Sequence, residues 1–89
     1  MFKVRWERGA LDTLADIWTQ ADSGQRQAIT AANHSIEQRL RSDPLIEGES
    51  RSKGHRITFV PPLAVLFRVE PGGQTVSVLQ VRLFRRRTP

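Results

Sequence analysis

The residues of this sequence best suited to chemistry are arginines that recur on its apolar, strand-like segments. Arg5, Arg56, Arg68 and Arg82 each fall on a different one of these segments. Because successive strand residues point to opposite sides of a sheet, all four are predicted to emerge on one face. A guanidinium is a planar fork of hydrogen-bond donors that suits phosphate and carboxylate groups. The spacing therefore predicts a surface for a phosphate chain or for an acidic amphipathic peptide.

The charge of the chain is uneven along its length. The 89 residues include 14 Lys and Arg against 9 Asp and Glu. Residues 1–50 hold 6 basic and 8 acidic side chains, whereas residues 51–89 hold 8 and 1. The basic character therefore belongs to the C-terminal half, which favours nucleic acid or an acidic protein as partner.

Length and composition exclude several classes of protein. A chain of this size forms one small domain with a modest core, so residues 1–89 are predicted to be a single domain. Without cysteine there is neither a disulfide framework nor a thiolate metal site, and we expect a cytoplasmic protein. His34 and His55 have no carboxylate at ligand spacing, so we expect no metal and no cofactor. No apolar run approaches the roughly 20 residues of a membrane span, and no membrane contact is expected.

Hydrophobic periodicity predicts the elements that position the arginines. Asp22 and Gln25 have the spacing of a helix capping box, and prolines and glycines separate the later apolar runs. In chain order the elements are a strand over residues 2–6, helical stripes over residues 10–21 and 28–40, and strands over residues 55–60, 63–70 and 75–83. This order predicts an α+β fold in which two antiparallel helices pack on one face of a four-stranded, mainly antiparallel sheet.

Parity within each strand predicts which side chains meet the helices. In the strand over residues 55–60, Ile57 and Phe59 are expected on the helix side with His55, and the residues between them on the free face. The free face is then predicted to carry Arg5, Arg56, Thr58, Val60, Ala64, Leu66, Arg68, Val78, Gln80 and Arg82. The core between the layers is predicted to contain Leu14, Trp18, Ile36, Ile57, Phe67 and Val81.

Three segments carry a resemblance to a known family. They are Gly54-His55-Arg56-Ile57, the run PLAVLFRV over residues 62–69, and the run VSVLQVR over residues 76–82. Together with the order of elements, they resemble the RelE/ParE superfamily of type II toxin–antitoxin toxins over nearly the whole chain. The resemblance implies a small toxin of two helices on a curved sheet, neutralised by an acidic antitoxin that wraps it.

The resemblance implies two different activities. RelE-like members enter the ribosome and cut mRNA, which requires cations around the attacked phosphate and a group that moves protons. For that activity it assigns Arg56 and Arg82 to charge stabilisation and Glu49, His55 or water to proton transfer, without a metal. ParE-like members instead inhibit DNA gyrase and need no nuclease site.

Three positions depart from the pattern of the nuclease members. Ala64 stands where an arginine is typical, Thr58 where a second basic residue is common, and Leu83 where histidine or tyrosine follows the last strand. The first interpretation is therefore a ribosome-dependent mRNA endonuclease, and the alternatives are a gyrase inhibitor or a decayed toxin that binds only its antitoxin.

The remaining candidate residues are assigned to binding. Basic side chains outside the proposed catalytic set, together with one apolar residue of the free face, are expected to contact RNA or a partner protein. They are Arg51, Lys53, Arg68, Arg85 and Leu66. The expected partners are the antitoxin and either the ribosome with mRNA or DNA gyrase.

Overall fold

Two helices cover one face of a five-stranded sheet in the computed structural model, which describes residues 1–84. The predicted α+β class and the order of the elements are confirmed. The fifth strand is an addition of two residues, too short to show any alternation in the sequence. In chain order the elements are β1 (Lys3–Trp6), α1 (Arg8–Gln20), α2 (Ser23–Ser42), β2 (Glu49–Ser50), β3 (His55–Val60), β4 (Leu63–Val69) and β5 (Thr75–Leu83).

The strands lie in the order β1-β5-β4-β3-β2. β1 runs parallel to β5, and every other neighbouring pair is antiparallel. The first strand therefore lies beside the last one, and Arg5 lies opposite Ser77. Neither helix is long and apolar enough to cross a membrane in the part of the chain described.

The start of α2 is set by the predicted capping box. The backbone N–H of Gln25 donates to the Asp22 carboxylate at 2.8 Å, and the backbone N–H of Asp22 donates to the Gln25 side chain at 2.9 Å. Each residue thus supplies an acceptor to a backbone N–H of the other at the helix start. Because this signal is local, it could be read from two residues of sequence.

The core joins one face of α2 to the covered face of the sheet. Of the predicted core residues, Ile36, Phe67 and Val81 are buried and Leu14 packs against them. The placement of Trp18 was wrong: 44% of this residue is exposed, and the Arg26 guanidinium lies 4.3 Å from its ring centroid. Trp18 therefore lies beside the first turn of α2 and outside the buried cluster. The buried apolar side chains are Ala10, Ile29, Ala32, Ile36, Leu40, Leu63, Val65, Phe67, Val76, Val78 and Val81.

The side chains of β3 point opposite to their predicted directions. Arg56 pairs with Phe67 and Thr58 pairs with Val65, and both partners are fully buried under the helices. Because directly opposed residues of an antiparallel pair share a face, Arg56 and Thr58 lie on the helix side. By the same register, the residues predicted to meet the helices, Ile57, Phe59 and His55, lie on the free face.

A bulge in β5 corrects a second prediction. Leu66 pairs with Gln80 but the next residue, Phe67, pairs with Val78, so Leu79 has no partner. The extra residue reverses the parity of β5 before it relative to β5 after it. Val78, predicted on the free face, is therefore fully buried, whereas Gln80 and Arg82 stay on the free face as predicted.

Candidate functional site

The sheet face that the helices leave uncovered, called the open face below, is divided into a polar and an apolar part. Rows of side chains run across the strands because paired residues share a face. The polar row contains His55, Arg68, Ser77 and Arg5. The apolar patch beside it contains Ile57, Phe59, Ala64 and Leu66, together with Phe84 just after β5.

Glu70, one residue beyond β4, brings a carboxylate to the polar row. The Ser77 hydroxyl donates to Oε1 of Glu70 at 2.6 Å, and Nη2 of Arg68 donates to both carboxylate oxygens at 3.2 and 3.0 Å. Nη2 of Arg5 lies 4.0 Å from the same carboxylate and donates to the Ser77 hydroxyl at 3.3 Å. Ser77 is fully buried, so its hydroxyl contacts the carboxylate from the side that faces the sheet. One acidic side chain thus engages both arginines of the row.

These contacts hold Glu70 in its ionised form. The Ser77 hydrogen bond lowers the pKa of Glu70 most, followed by the Arg68 hydrogen bond, and the charges of Arg68 and Arg5 act in the same direction. Burial opposes them only in part. Because the carboxylate is charged at neutral pH, it cancels much of the positive potential of the two guanidiniums.

The apolar patch surrounds a shallow cavity on the open face. Phe59 and Phe84 pack edge to face with ring centroids 5.4 Å apart, and both are about two-fifths exposed. The neighbouring cavity of about 110 Å³ is lined by Ile57, Ala64, Leu66, Gln80 and Arg82. Exposed apolar surface beside a charge is typical of a protein docking site.

Arg82 differs from the other two arginines of the open face. Its side chain is exposed at the rim of this cavity. Among the side chains of residues 1–84, none forms a hydrogen bond or ion pair with it, whereas Arg5 and Arg68 both have acidic partners. Its guanidinium is therefore available to an external anion.

Arg56 lies on the other side of the sheet and acts there as a structural residue. Its Nε donates to the carbonyl of Glu47 at 2.9 Å and its Nη2 to the carbonyl of Gly48 at 3.2 Å. Thr58 donates to the Glu47 carboxylate at 2.6 Å, and Arg39 lies 3.6 Å from the same carboxylate. The loop after α2 thus folds over β3 and accepts hydrogen bonds from the two side chains that were expected on the open face.

Gly48 allows this loop to approach so closely. Its φ is +70°, and a Cβ at this position would lie 2.1 Å from the carbonyl oxygen of Ile57. Only glycine fits both the backbone conformation and the contact. The position of Arg56 and Thr58 therefore depends on a glycine eight or more residues away in sequence.

The candidates around β2 lie at the edge of the sheet. Glu49 is exposed on the open face opposite Ile57, and its carboxylate pairs with Nη1 of Arg51 at 3.2 Å. Lys53 is exposed in the turn before β3, with a φ of 61°. Arg85 lies outside the described residues.

The three residues assigned to catalysis are not brought together. Arg56 is on the helix side, and Glu49 is separated from Arg82 by the widths of β3 and β4. Three strand spacings amount to roughly 14 Å, too far for both to contact one phosphate. Their catalytic roles stay predictions.

Sequence reasoning missed the role of Glu70 and Ser77. The signal for Glu70 was present, because it is the single acidic residue among residues 51–89 and lies two positions after Arg68. Ser77 carried no such signal, since its contact depends on the pairing of β5 with both β1 and β4.

Solved structures of bacterial toxins share this architecture. No protein-family model matches the sequence, and no curated protein matches it. The chromosomal ParDE system of P. aeruginosa aligns with a TM-score of 0.75 at 18% identity, covering 96% of this chain and 98% of the other. The RelBE2 toxin–antitoxin complex of Mycobacterium tuberculosis aligns at 0.72 with 20% identity, covering 92% and 90%. Isolated RelE of E. coli aligns at 0.66 with 14% identity, covering 98% and 88%.

The chain has the RelE/ParE toxin fold. At these identities the likeness concerns the fold, and it confirms the fold class inferred from the three sequence segments. On this RelE/ParE fold the open face is divided between a polar row whose two arginines contact Glu70 and an apolar patch beside Arg82, which has no partner among residues 1–84. What that face can bind depends on the side chains of this chain.

Proposed function

We propose that this chain is the toxin of a type II toxin–antitoxin pair and that it acts by binding its target, as ParE-like toxins do, rather than by cutting RNA. The observation that carries the proposal is the state of the arginines. Arg56 is engaged by backbone carbonyls on the helix side, and Arg5 and Arg68 share the Glu70 carboxylate. Among residues 1–84, Arg82 is the one arginine of the open face that is left for an anion.

Cleavage of RNA by its own 2′-hydroxyl needs more than one preorganised cation. The charge that develops on the attacked phosphate must be stabilised while a neighbouring group moves protons. His55 lies beside Arg68 in the polar row, where the Glu70 carboxylate would repel a phosphate. Glu49, the other candidate for proton transfer, is about three strands from Arg82. This arrangement favours a binding surface over a nuclease centre.

The proposed target is DNA gyrase. The departures of Ala64, Thr58 and Leu83 from the pattern of the nuclease members support this choice, and the ParDE system aligns over nearly both chains. The apolar patch suits a protein target, because exposed apolar surface beside a charge is typical of protein interfaces and Phe59 and Phe84 contribute to it.

The proposed antitoxin also docks on the open face. Several solved structures that share the fold are complexes with an antitoxin. We infer an amphipathic acidic segment that inserts an apolar side chain beside Leu66 and places a carboxylate on Arg82. Calorimetric titration of Arg82→Glu with the antitoxin should show at least tenfold weaker binding, while Asp16→Asn on exposed α1 leaves the affinity unchanged.

The target is tested by following cells and purified gyrase in parallel. After expression of the chain, growth should stop while mRNA 5′ ends remain unchanged during the first minutes. The purified chain should inhibit gyrase-catalysed supercoiling of a relaxed plasmid, and addition of the antitoxin should restore it. New cleavage sites in phase with codons, together with unaffected supercoiling, would overturn the proposal.

Ribosome-dependent cleavage of mRNA is the second candidate, and it is favoured by Arg82, which has no acidic partner among residues 1–84. An exposed guanidinium without an acidic partner is available to a phosphate. In that case Arg82→Ala should abolish both growth arrest and the new 5′ ends without unfolding the chain. Arg56→Ala should act instead through stability, because its contacts are with the loop after α2.

A further inference from the structure

The C-terminal half of the chain has a single acidic residue, and its carboxylate lies next to two arginines of the open face. Glu70 is that residue among residues 51–89, against eight basic ones. On the open face its carboxylate lies 3.0 Å from Nη2 of Arg68 and 4.0 Å from Nη2 of Arg5. The other charged residues of this half are all basic, so Glu70 is the one residue of this half that offsets their positive charge.

The backbone around Glu70 is held in place by the β4–β5 hairpin. Its N–H donates to the carbonyl of Thr75 at 2.8 Å, and its carbonyl accepts from the N–H of Gly73 at 2.9 Å. The side chain is only 20% exposed and rests on the buried hydroxyl of Ser77. The carboxylate is therefore preorganised over the row rather than loosely paired with it.

The position of the carboxylate is the position that an external anion would take. Two guanidiniums and a hydroxyl converge on it, and their donors suit a phosphate as well as a carboxylate. With Glu70 present, those donors are engaged and a phosphate brought to the row meets a fixed negative charge. Without it, the Arg68 guanidinium would have no acidic partner among the described residues and would form an open anion site, whereas Arg5 would keep Glu7, whose carboxylate lies 3.6 Å from its Nη2.

We propose that Glu70 is a specificity-determining residue that prevents the open face from binding the phosphate backbone of RNA. It occupies the anion position of the polar row, so the sheet of a strongly basic chain recognises protein surfaces instead of polynucleotides. This inference extends the proposed function by naming what the open face rejects. Its test is a binding measurement on purified protein, so its outcome is independent of toxicity and of gyrase.

The test compares wild type with Glu70→Gln for binding to a short, labelled, single-stranded RNA. Gln keeps an acceptor for Ser77 and removes the charge, so the fold is preserved. Because Arg68 becomes available while Arg5 keeps Glu7, the plot of log K against log salt should steepen by about 0.7, the contribution of one contact with single-stranded RNA. We expect several-fold tighter binding near 50 mM salt, and an advantage over wild type that shrinks about 2.6-fold by 200 mM.

Matched variants separate this effect from net charge. Asp16→Asn adds the same unit of charge on exposed α1 and should change RNA affinity less than twofold. Arg68→Ala combined with Glu70→Gln should lose the added slope, because Arg68 is the guanidinium that Glu70 leaves without an acidic partner. Equal affinities for Glu70→Gln and Asp16→Asn would overturn the proposal.

A second comparison leaves Glu70 unchanged and so does not depend on how its variant folds. In the wild-type background, Arg82→Ala should reduce the salt slope by about 0.7, because its guanidinium has no acidic partner in the described part of the chain. Arg68→Ala should leave the slope as it is, because Glu70 already engages Arg68. An equal loss of slope in both variants would contradict the role assigned to Glu70.

Discussion

The side chain of Thr58 lies on the helix side of β3, whereas parity predicted it on the open face, and the two placements predict different effects of a substitution there. Thr58 is 2% exposed and donates a 2.6 Å hydrogen bond to the Glu47 carboxylate. Thr58→Val is nearly isosteric but removes the donor. Since a hydrogen bond to a charged group contributes about 1.5 to 3 kcal/mol, the substitution should destabilise the fold by that amount. If Thr58 were on the open face, valine would be neutral or stabilising there.

The expected cost is large enough to measure in a chain of this size. A domain of 89 residues has a total stability of about 4 to 13 kcal/mol. A loss of about 1.5 to 3 kcal/mol corresponds to a decrease in Tm of roughly 6 to 24 °C, which circular dichroism resolves easily.

A double-mutant cycle assigns the cost to the hydrogen bond itself. Thr58→Val, Glu47→Ala and the double variant are unfolded with urea, and the coupling free energy is obtained from the four stabilities. We expect a coupling of about 1 to 3 kcal/mol. Ile57→Thr, on the open face, should cost less than Thr58→Val because water can reach the new hydroxyl. A coupling near zero, or a Thr58→Val variant as stable as wild type, would refute the placement of the Thr58 side chain on the helix side of β3.

Three further substitutions test other parts of the structure. Asp22→Ala removes the capping box of α2 and should cost about 0.5 to 2 kcal/mol in urea unfolding, whereas Asp22→Asn retains most of the stability. Gly48→Ala would place a Cβ against the Ile57 carbonyl in a left-handed conformation, so it should cost at least about 2 kcal/mol, and a stability equal to wild type would show that the loop is not so close to β3. Because folding lowers the pKa of Glu70 below its ordinary value of 4.5, the unfolded chain binds the proton more readily, and stability is lost as pH falls from 4.5 through the lowered pKa. Thermal unfolding between neutral pH and about pH 3 should therefore show a larger decrease in Tm for wild type than for Glu70→Gln, and parallel decreases would exclude this linkage.

The sequence by itself determined the elements and their order. Alternation over two residues and stripes with the helical period depend on neighbouring side chains, and so does the pairing of Asp22 with Gln25. The prolines and glycines between the last three strands are equally local signals. These features were enough to predict two helices on an antiparallel sheet and a resemblance to the RelE/ParE toxins, which the fold confirms.

Tertiary structure alone decided which face each functional side chain occupies. Along β3, Ile57 and Phe59 are more apolar than Thr58 and Arg56, and parity by itself would bury the apolar pair. The opposite direction is stable because the loop at Glu47 supplies acceptors to the polar pair.

Contacts between elements also explain the other features that the sequence did not predict. The bulge at Leu79 buries Val78, and it is visible only once β5 is paired with β4. Arg5 is far in sequence from Glu70 and Arg68, and it meets them only through the parallel pairing of β1 with β5. Alternation is a property of one strand, whereas direction, bulges and ion pairs are set by hydrogen bonds between elements, and those bonds decide what the open face can bind.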